Sequence, residues 1–306
     1  MRQLFTLAAR DDVEARIVVR KSRRWRSSHG PFAAVTPQRR DWTILVSGVN
    51  LHNARADALL RRFSFIPQAR LDDVMVSYAT PGGGVGPHVD TYDVFLLQGS
   101  GRRRWTISHQ GNRAVYIAAP GDLLYLPPGW RHDGVALDPC FTYSIGFRAP
   151  SGAELGVAFL DWLHERGLPD ARYRDPRLVP ARRAGQIPPQ MVAFAAHALR
   201  GIRWSRHEVE SFLGEYLSMP KPHVVFRPRG SAGGRMVLLD PKTQLLYAGT
   251  RFFINGDAFG VPARASAALR ALADERMAGK AALARAGLGR LISEWLRRGY
   301  ASLGKR

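Results

Sequence analysis

The stretch PGGGVGPHVDTYDVFLLQGSGRRRW, Pro81 to Trp105, decides how this sequence is read. A glycine-rich run opens it, and one short apolar run, Val94 to Leu97, follows and is ended by Gly99 and Gly101. That texture predicts strands and tight turns, with no helical periodicity. Working outward, β-type runs are predicted at 43–47, 73–78, 94–97, 103–108, 114–117, 123–126 and 142–147. So many short strands between about 42 and 147 predict a β-sandwich or an open barrel.

Within this core, side chains two apart on a strand share a face, so His88 and Asp90 can hold one ion between an imidazole and a carboxylate. Alone, a His-x-Asp pair is equally a structural histidine beside a surface aspartate. His132 supplies a third donor. It lies in LPPGWRH, after a Gly121-Asp122 turn and the run 123–126. Two histidines and one carboxylate from separate strands make the facial triad of a non-haem iron(II) oxygenase, with positions left open for a co-substrate and O2. Zinc more usually takes a closed tetrahedral set.

The expected co-substrate is 2-oxoglutarate, whose distal carboxylate needs a cation. Alternation puts Arg103 on the face of Trp105 and Ile107, with Arg102 and Arg104 turned the other way. A buried arginine is costly without an anion, so Arg103 is the expected anchor. By the same alternation Asp73, Met75 and Ser77 share a face. Ser77 can donate to the same carboxylate, and Asp73 and Met75 can line the substrate side. Tyr92 continues the His88/Asp90 face. Each of these also reads as an ordinary buried strand residue.

Composition bounds the rest. Of 306 residues, 45% are hydrophobic and 23% charged, a globular balance that excludes disorder. Lys and Arg number 45 against 25 Asp and Glu, a formal net charge of +20. Such an excess favours phosphate-rich partners, a ribosomal RNA contact among them, or simply a solvated arginine-rich surface. The basic residues concentrate at Arg20, Lys21, Arg23, Arg24 and Arg26, at Arg102 to Arg104, and between Arg172 and Arg183. The single cysteine, Cys140, excludes an internal disulfide and a thiolate metal cluster, which fits a reducing cytoplasm. The N-terminal residues carry charges throughout and show no apolar stretch for a secretory signal or membrane span, so a cytoplasmic protein is expected.

Beyond Pro150 helices are predicted at 153–165, with Leu155, Phe159, Leu160 and Leu163 on one face, and at 190–200 and 207–217. Ser205 with Glu208 makes a capping box for the last of these. These helices show no chemistry and suggest scaffolding or self-association. From 219 onward, predicted strands at 224–227, 236–239, 245–248 and 252–254, a turn at 230–234, and helices at 266–276 and 282–300 suggest a winged-helix-like unit.

The runs PGGGVGPHVDTYDVFLLQGSGRRRW, GDLLYLPPGWRHDG and TYSIGFRAP resemble the bacterial JmjC-type ribosomal oxygenases, which hydroxylate an arginyl residue of the large-subunit ribosomal protein L-sixteen. The resemblance is specific over about 28–150 and thin over the last ninety or so residues. It implies a mainly β plus α chain: a double-stranded β-helix (cupin/JmjC) core over 1–150, with a shortened N-terminal part, a helical dimerisation segment over 151–218, and a winged-helix-like domain over 219–306. It implies a homodimer. By position His88, Asp90 and His132 match the iron ligands, Arg103 and Ser77 the 2-oxoglutarate contacts, and Asp73, Met75 and Tyr92 the substrate-arginine pocket. Thr142 and Ser144 are weaker candidates for the co-substrate wall. The implied activity is arginine 3-hydroxylation using Fe(II), 2-oxoglutarate and O2. Two rival readings are a related oxygenase acting on a histidyl residue of another ribosomal protein, and a nucleic-acid-binding winged-helix regulator with a cupin sensor.

Overall fold

The computed structural model describes residues 1–22, 24–175, 180, 182–228 and 233–304. Arg23, part of the 172–183 basic cluster and most of the turn expected at 230–234 lie outside the described residues. The chain opens with α1 (Arg2–Ala8), β1 (Ala15–Lys21), β2 (Arg24–His29), β3 (Trp42–Val46), a 3-10 turn (Val49–Leu51) and α2 (Ala54–Arg61). The strands β4 (Leu71–Ala79), β5 (His88–Val89), β6 (Asp93–Ser100), β7 (Arg103–His109), β8 (Asn112–Ala118), β9 (Leu123–Leu126), β10 (Arg131–Ala136) and β11 (Cys140–Phe147) follow.

These strands form two antiparallel sheets, ordered β2-β1-β3-β4-β11-β6-β9 and β5-β10-β7-β8. This is the double-stranded β-helix expected for the core. Its central strand, β4, is buried on both sides. Val74 and Val76 join Trp42, Ile44, Ile145 and Phe147 in a core closed by Leu4 and Leu7 of α1 and Leu60 of α2. The alternate residues Asp73 and Ser77 are also buried. A second cluster, including Val94, Leu96, Trp105, Ile107 and Leu126, draws on both sheets. A strand with apolar residues on one face and buried polar ones on the other signals an interior that is reserved for something other than packing.

The predicted runs fall on β3, β4, β6, β7, β8, β9 and β11, and strands were also expected to carry His88 and His132, here β5 and β10, but β1 and β2 were not foreseen. In β2 all but Trp25 are exposed, so its apolar pattern is faint. β5 is two residues long, too short to show a period.

Three helices follow, α3 (Gly152–Glu165), α4 (Pro189–Arg200) and α5 (Arg206–Ser218). Both α3 and α5 begin with capping boxes, Ser151/Glu154 and Ser205/Glu208. Leu155, Phe159 and Leu163 pack with Trp162 and Phe212, but Leu160 is 59% exposed. It lies a residue off the i, i+4, i+8 stripe that faces α5.

The last part comprises β12 (Met236–Leu239), β13 (Leu245–Ala248), β14 (Arg251–Ile254), β15 (Asp257–Gly260), α6 (Ala263–Glu275), β16 (Met277–Gly279), α7 (Lys280–Arg285), α8 (Gly289–Arg298) and β17 (Ala301–Gly304). Two three-stranded sheets and three helices enclose one core around Leu269, Leu272, Ile292 and Trp295. Two expectations fail here. Residues 224–227 form no strand. The helix expected over 282–300 is two helices, because Gly287 takes φ +84° and breaks the run between α7 and α8. No helix among the described residues is long and apolar enough to cross a membrane.

Candidate active site

His88 and His132 face each other as direct partners in the antiparallel β5–β10 ladder. Directly opposed residues project to the same face of a sheet, and the two rings stand 4.2 Å apart between centroids. Asp90 lies just past β5, where its carbonyl accepts from the Gly129 N–H at 2.9 Å. Its Oδ1 stands 3.7 Å from His88 Nε2, and its Oδ2 stands 3.6 Å from His132 Nε2. All three donor atoms fall within 4.8 Å of one another.

Backbone carbonyls set the tautomers. His88 Nδ1 is 2.9 Å from the Gly86 carbonyl, and His132 Nδ1 is 3.0 Å from that of Trp130. A carbonyl only accepts, so Nδ1–H donates in each ring and the Nε2 lone pair is left pointing at the carboxylate. Burial pushes His132 below its ordinary pKa, against the pull of the Trp130 carbonyl, which favours the neutral form a metal needs. The site is lopsided: the His132 side chain is 4% exposed and that of His88 is 39%.

The glycines before His88 have a spatial cause. Gly86 takes φ +84°, and a Cβ there would come within 2.6 Å of the Trp25 ring. Trp25, in turn, is flanked by the Arg20 guanidinium at 5.6 Å. The hairpin of β1 and β2 thus backs the loop whose Gly86 carbonyl orients His88.

Arg103 is 5% exposed and leaves the small sheet next to Ala136. Its Nη2 donates to Cys140 Sγ at 3.7 Å, its guanidinium lies 5.6 Å from the Trp105 ring, and its Nε is buried with no partner. No carboxylate pairs with it among the described residues. A desolvated guanidinium with an orphan N–H fits an anionic ligand. Along β10, Ala136 pairs with Arg103 and His132 with Ile107. Four residues of strand separate those levels by roughly 13 Å.

Ser77 is buried opposite Thr142, whose carbonyl its Oγ approaches at 3.4 Å, and Thr142 Oγ1 donates to Gln98 at 3.0 Å. Cys140, which meets Arg103, is one same-face step from Thr142. Arg103 and Ser77 therefore come to the same part of the interior. Arg102, in contrast, forms an exposed pair with Asp138 at 2.7 Å, as expected of the outward face.

Asp73, Met75 and Tyr92 line one cavity of about 270 Å³, together with Val94 and Ser144. Tyr92 arrives there by a bend and not by strand alternation, since β5 ends at Val89. Burial, then the charges of Asp90 and Asp73, push its phenol up to about 12, so the hydroxyl keeps its proton. Asp73 Oδ2 accepts from the Gly48 N–H and from Lys221 Nζ, each at 3.0 Å. Burial pushes the Asp73 carboxyl up, and Lys221 opposes that. Burial works against the Lys221 charge as well, but the Asp73 and Asp72 carboxylates outweigh it and keep the ammonium protonated. Sequence reasoning missed Lys221, which meets Asp73 across 148 positions. Gln98 and Cys140, which meet Thr142 and Arg103, were missed for a related reason, since nothing local in the sequence marks either contact.

Two family models match the chain, a JmjC domain over 58–118 and 116–155 and a ROXA-like winged helix over 201–302. Among curated proteins, the ribosomal protein uL16 3-hydroxylase of Escherichia coli is 35% identical over 246 residues, 74% of this chain and 66% of that protein. A probable ribosomal oxygenase of Haemophilus influenzae is 37% identical over 175 residues, 50% of this chain and 43% of that one. The structure of YcfD, a ribosomal oxygenase from Escherichia coli, in complex with cobalt and 2-oxoglutarate superposes with a TM-score of 0.80 at 30% identity, covering 98% of this chain and 89% of that chain. This chain belongs to the JmjC-domain ribosomal oxygenase family. In this chain every candidate metal, co-substrate and substrate residue read from sequence falls within the JmjC match at 58–155, while Lys221 belongs to the stretch matched as winged helix.

Proposed function

We propose that this protein is an Fe(II)- and 2-oxoglutarate-dependent dioxygenase that 3-hydroxylates an arginyl residue of a large-subunit ribosomal protein. The observation that carries the reading is a two-histidine, one-carboxylate cluster in the same β-helix as a buried arginine that lacks an anion. The E. coli relative named as a uL16 3-hydroxylase supports the target class, and the cobalt and 2-oxoglutarate complex of YcfD supports the cofactor set. A ribosomal target is consistent with a cytoplasmic protein.

When bound, Fe(II) with 2-oxoglutarate and O2 supplies the power to insert oxygen into an unactivated C–H bond, releasing succinate and CO2. His88, Asp90 and His132 would hold the metal. Arg103 would hold the distal carboxylate, with Ser77 as a lesser donor. Asp73 would pair with the substrate guanidinium, and Met75 and Tyr92 would flank its methylene stem. No general base is needed. The direct test supplies ribosomal protein, Fe(II) and 2-oxoglutarate to the purified chain. The expected outcome is succinate formation with a mass gain of one oxygen atom on an arginine-bearing peptide. No turnover, or oxygen found on a histidine, would overturn the reading.

The basic surface suits a ribosome-bound target. Arg20, Lys21, Arg24 and Arg26 are exposed on β1, β2 and their connection, at the open edge of the large sheet. With assembled particles as substrate, KM should rise steeply with salt, and with free ribosomal protein it should barely change.

A homodimer is part of the proposal. The apolar helix α4 has no buried residue, and Leu199 on it is 67% exposed, as Leu160 and Val157 on α3 are 59% and 63%. Bare apolar helix faces of this kind favour association. Light scattering should give a dimer mass, and Leu160→Asp with Leu199→Asp should give a monomer. A monomeric wild type would remove the idea.

A further inference from the structure

Among the charged residues that line the cavity with Asp73 is Lys221, which the proposed arginine hydroxylation leaves without a role. Lys221, three residues beyond the end of α5 at Ser218, reaches back into the β-helix, and its Nζ lies 3.0 Å from both Asp72 Oδ2 and Asp73 Oδ2. The other oxygen of Asp72 faces Arg148 Nε at 3.5 Å. The Gly48 N–H takes up the same Oδ2 of Asp73 as Lys221 does. Three of the four carboxylate oxygens of this pair are therefore engaged by the protein, and Asp73 Oδ1 is left for the cavity.

We propose that Lys221 is a positioning residue for substrate recognition: it pins Asp73 through Oδ2 so that Oδ1 is presented to the substrate's guanidinium, making the segment after α5 part of the arginine pocket. The inference rests on the proposed arginine hydroxylation. A buried carboxylate with one oxygen fixed by an N–H and an ammonium cannot rotate, so the free oxygen meets an incoming cation without a reorganisation cost. Lys221 also offsets the repulsion between adjacent Asp72 and Asp73, which keeps both in place when the pocket is empty. An alternative role, a built-in competitor lying where the substrate guanidinium would bind, makes the opposite prediction for the same variant.

The test compares Lys221→Met, Lys221→Gln and Lys221→Arg in the full chain with wild type, using an arginine-bearing ribosomal peptide and the same peptide with citrulline in place of the arginine. In Lys221→Met, KM for the arginine peptide should rise roughly tenfold. KM for 2-oxoglutarate should stay within about twofold, and the preference for arginine over citrulline should shrink. Lys221→Arg should recover most of the loss, since a guanidinium can bridge the same two carboxylates. Lys221→Gln should follow Met, and it carries the test if the Met variant does not fold. An unchanged KM in the neutral variants, or a lower one as a competitor would give, overturns the proposal while leaving the proposed function standing. Failure of wild type itself to hydroxylate arginine would overturn both.

Discussion

Arg103→Met should cost the protein nearly all its affinity for 2-oxoglutarate while leaving the empty fold as stable as wild type, or more so. Both halves follow from one fact, that the guanidinium is buried with an unpartnered Nε and, among the described residues, no carboxylate beside it. In the absence of ligand it is an uncompensated desolvated charge, and an apolar side chain of similar length relieves that. With ligand present, removing one partner of a buried, hydrogen-bonded charge pair costs about 2–5 kcal/mol. That is roughly thirty- to several-thousand-fold in affinity. Calorimetric titration of 2-oxoglutarate into Co(II)-loaded protein reads the first half, and the melting temperature of the ligand-free protein reads the second. Arg103→Lys should fall between, keeping the charge but losing the planar fork that grips a carboxylate. Wild-type affinity in Arg103→Met would move the anchor elsewhere.

The burial of Arg103 was legible because a strand's period of two is a strong constraint. Arg103, Trp105 and Ile107 had to share a face, and all three are buried together, while Arg104 is exposed. The same period placed Asp73 and Ser77 inward on β4. It gave His88 and Asp90 a shared side, although Asp90 and Tyr92 reach the site through a bend that no period describes. What stayed hidden was long-range. Lys221 meets Asp73 only because α5 returns the chain to the β-helix, and a lone lysine in a proline-flanked segment carries no local sign of that. Trp25 shows how support residues escape sequence reading: its use comes from fitting against Gly86, and only the fold brings β2 to that loop. The glycine run itself was visible, but its cause was not.

The second large effect concerns the triad, and the unequal burial of its histidines separates metal loss from fold loss. Asp90→Ala, His88→Ala and His132→Ala should each bring arginine hydroxylation below detection, since two remaining donors no longer make the facial set. Their effects on the protein without metal should differ. His132 sits beneath Trp105, with ring centroids 6.0 Å apart, and its truncation leaves a hole in a packed interior. Its melting temperature should fall. His88 is half in solvent and Asp90 is the sole carboxylate between two imidazoles, so these two variants should melt close to wild type. Added Co(II) or Mn(II) then gives a readout independent of turnover. A metal that binds only the folded state stabilises by about 2.7 kcal/mol at a hundred times its dissociation constant. Wild type should show that upward shift, and all three variants should not. A metal-induced shift retained in Asp90→Ala would mean that the histidines alone hold the ion, and that the carboxylate 3.6 Å from His132 Nε2 serves only to orient the rings.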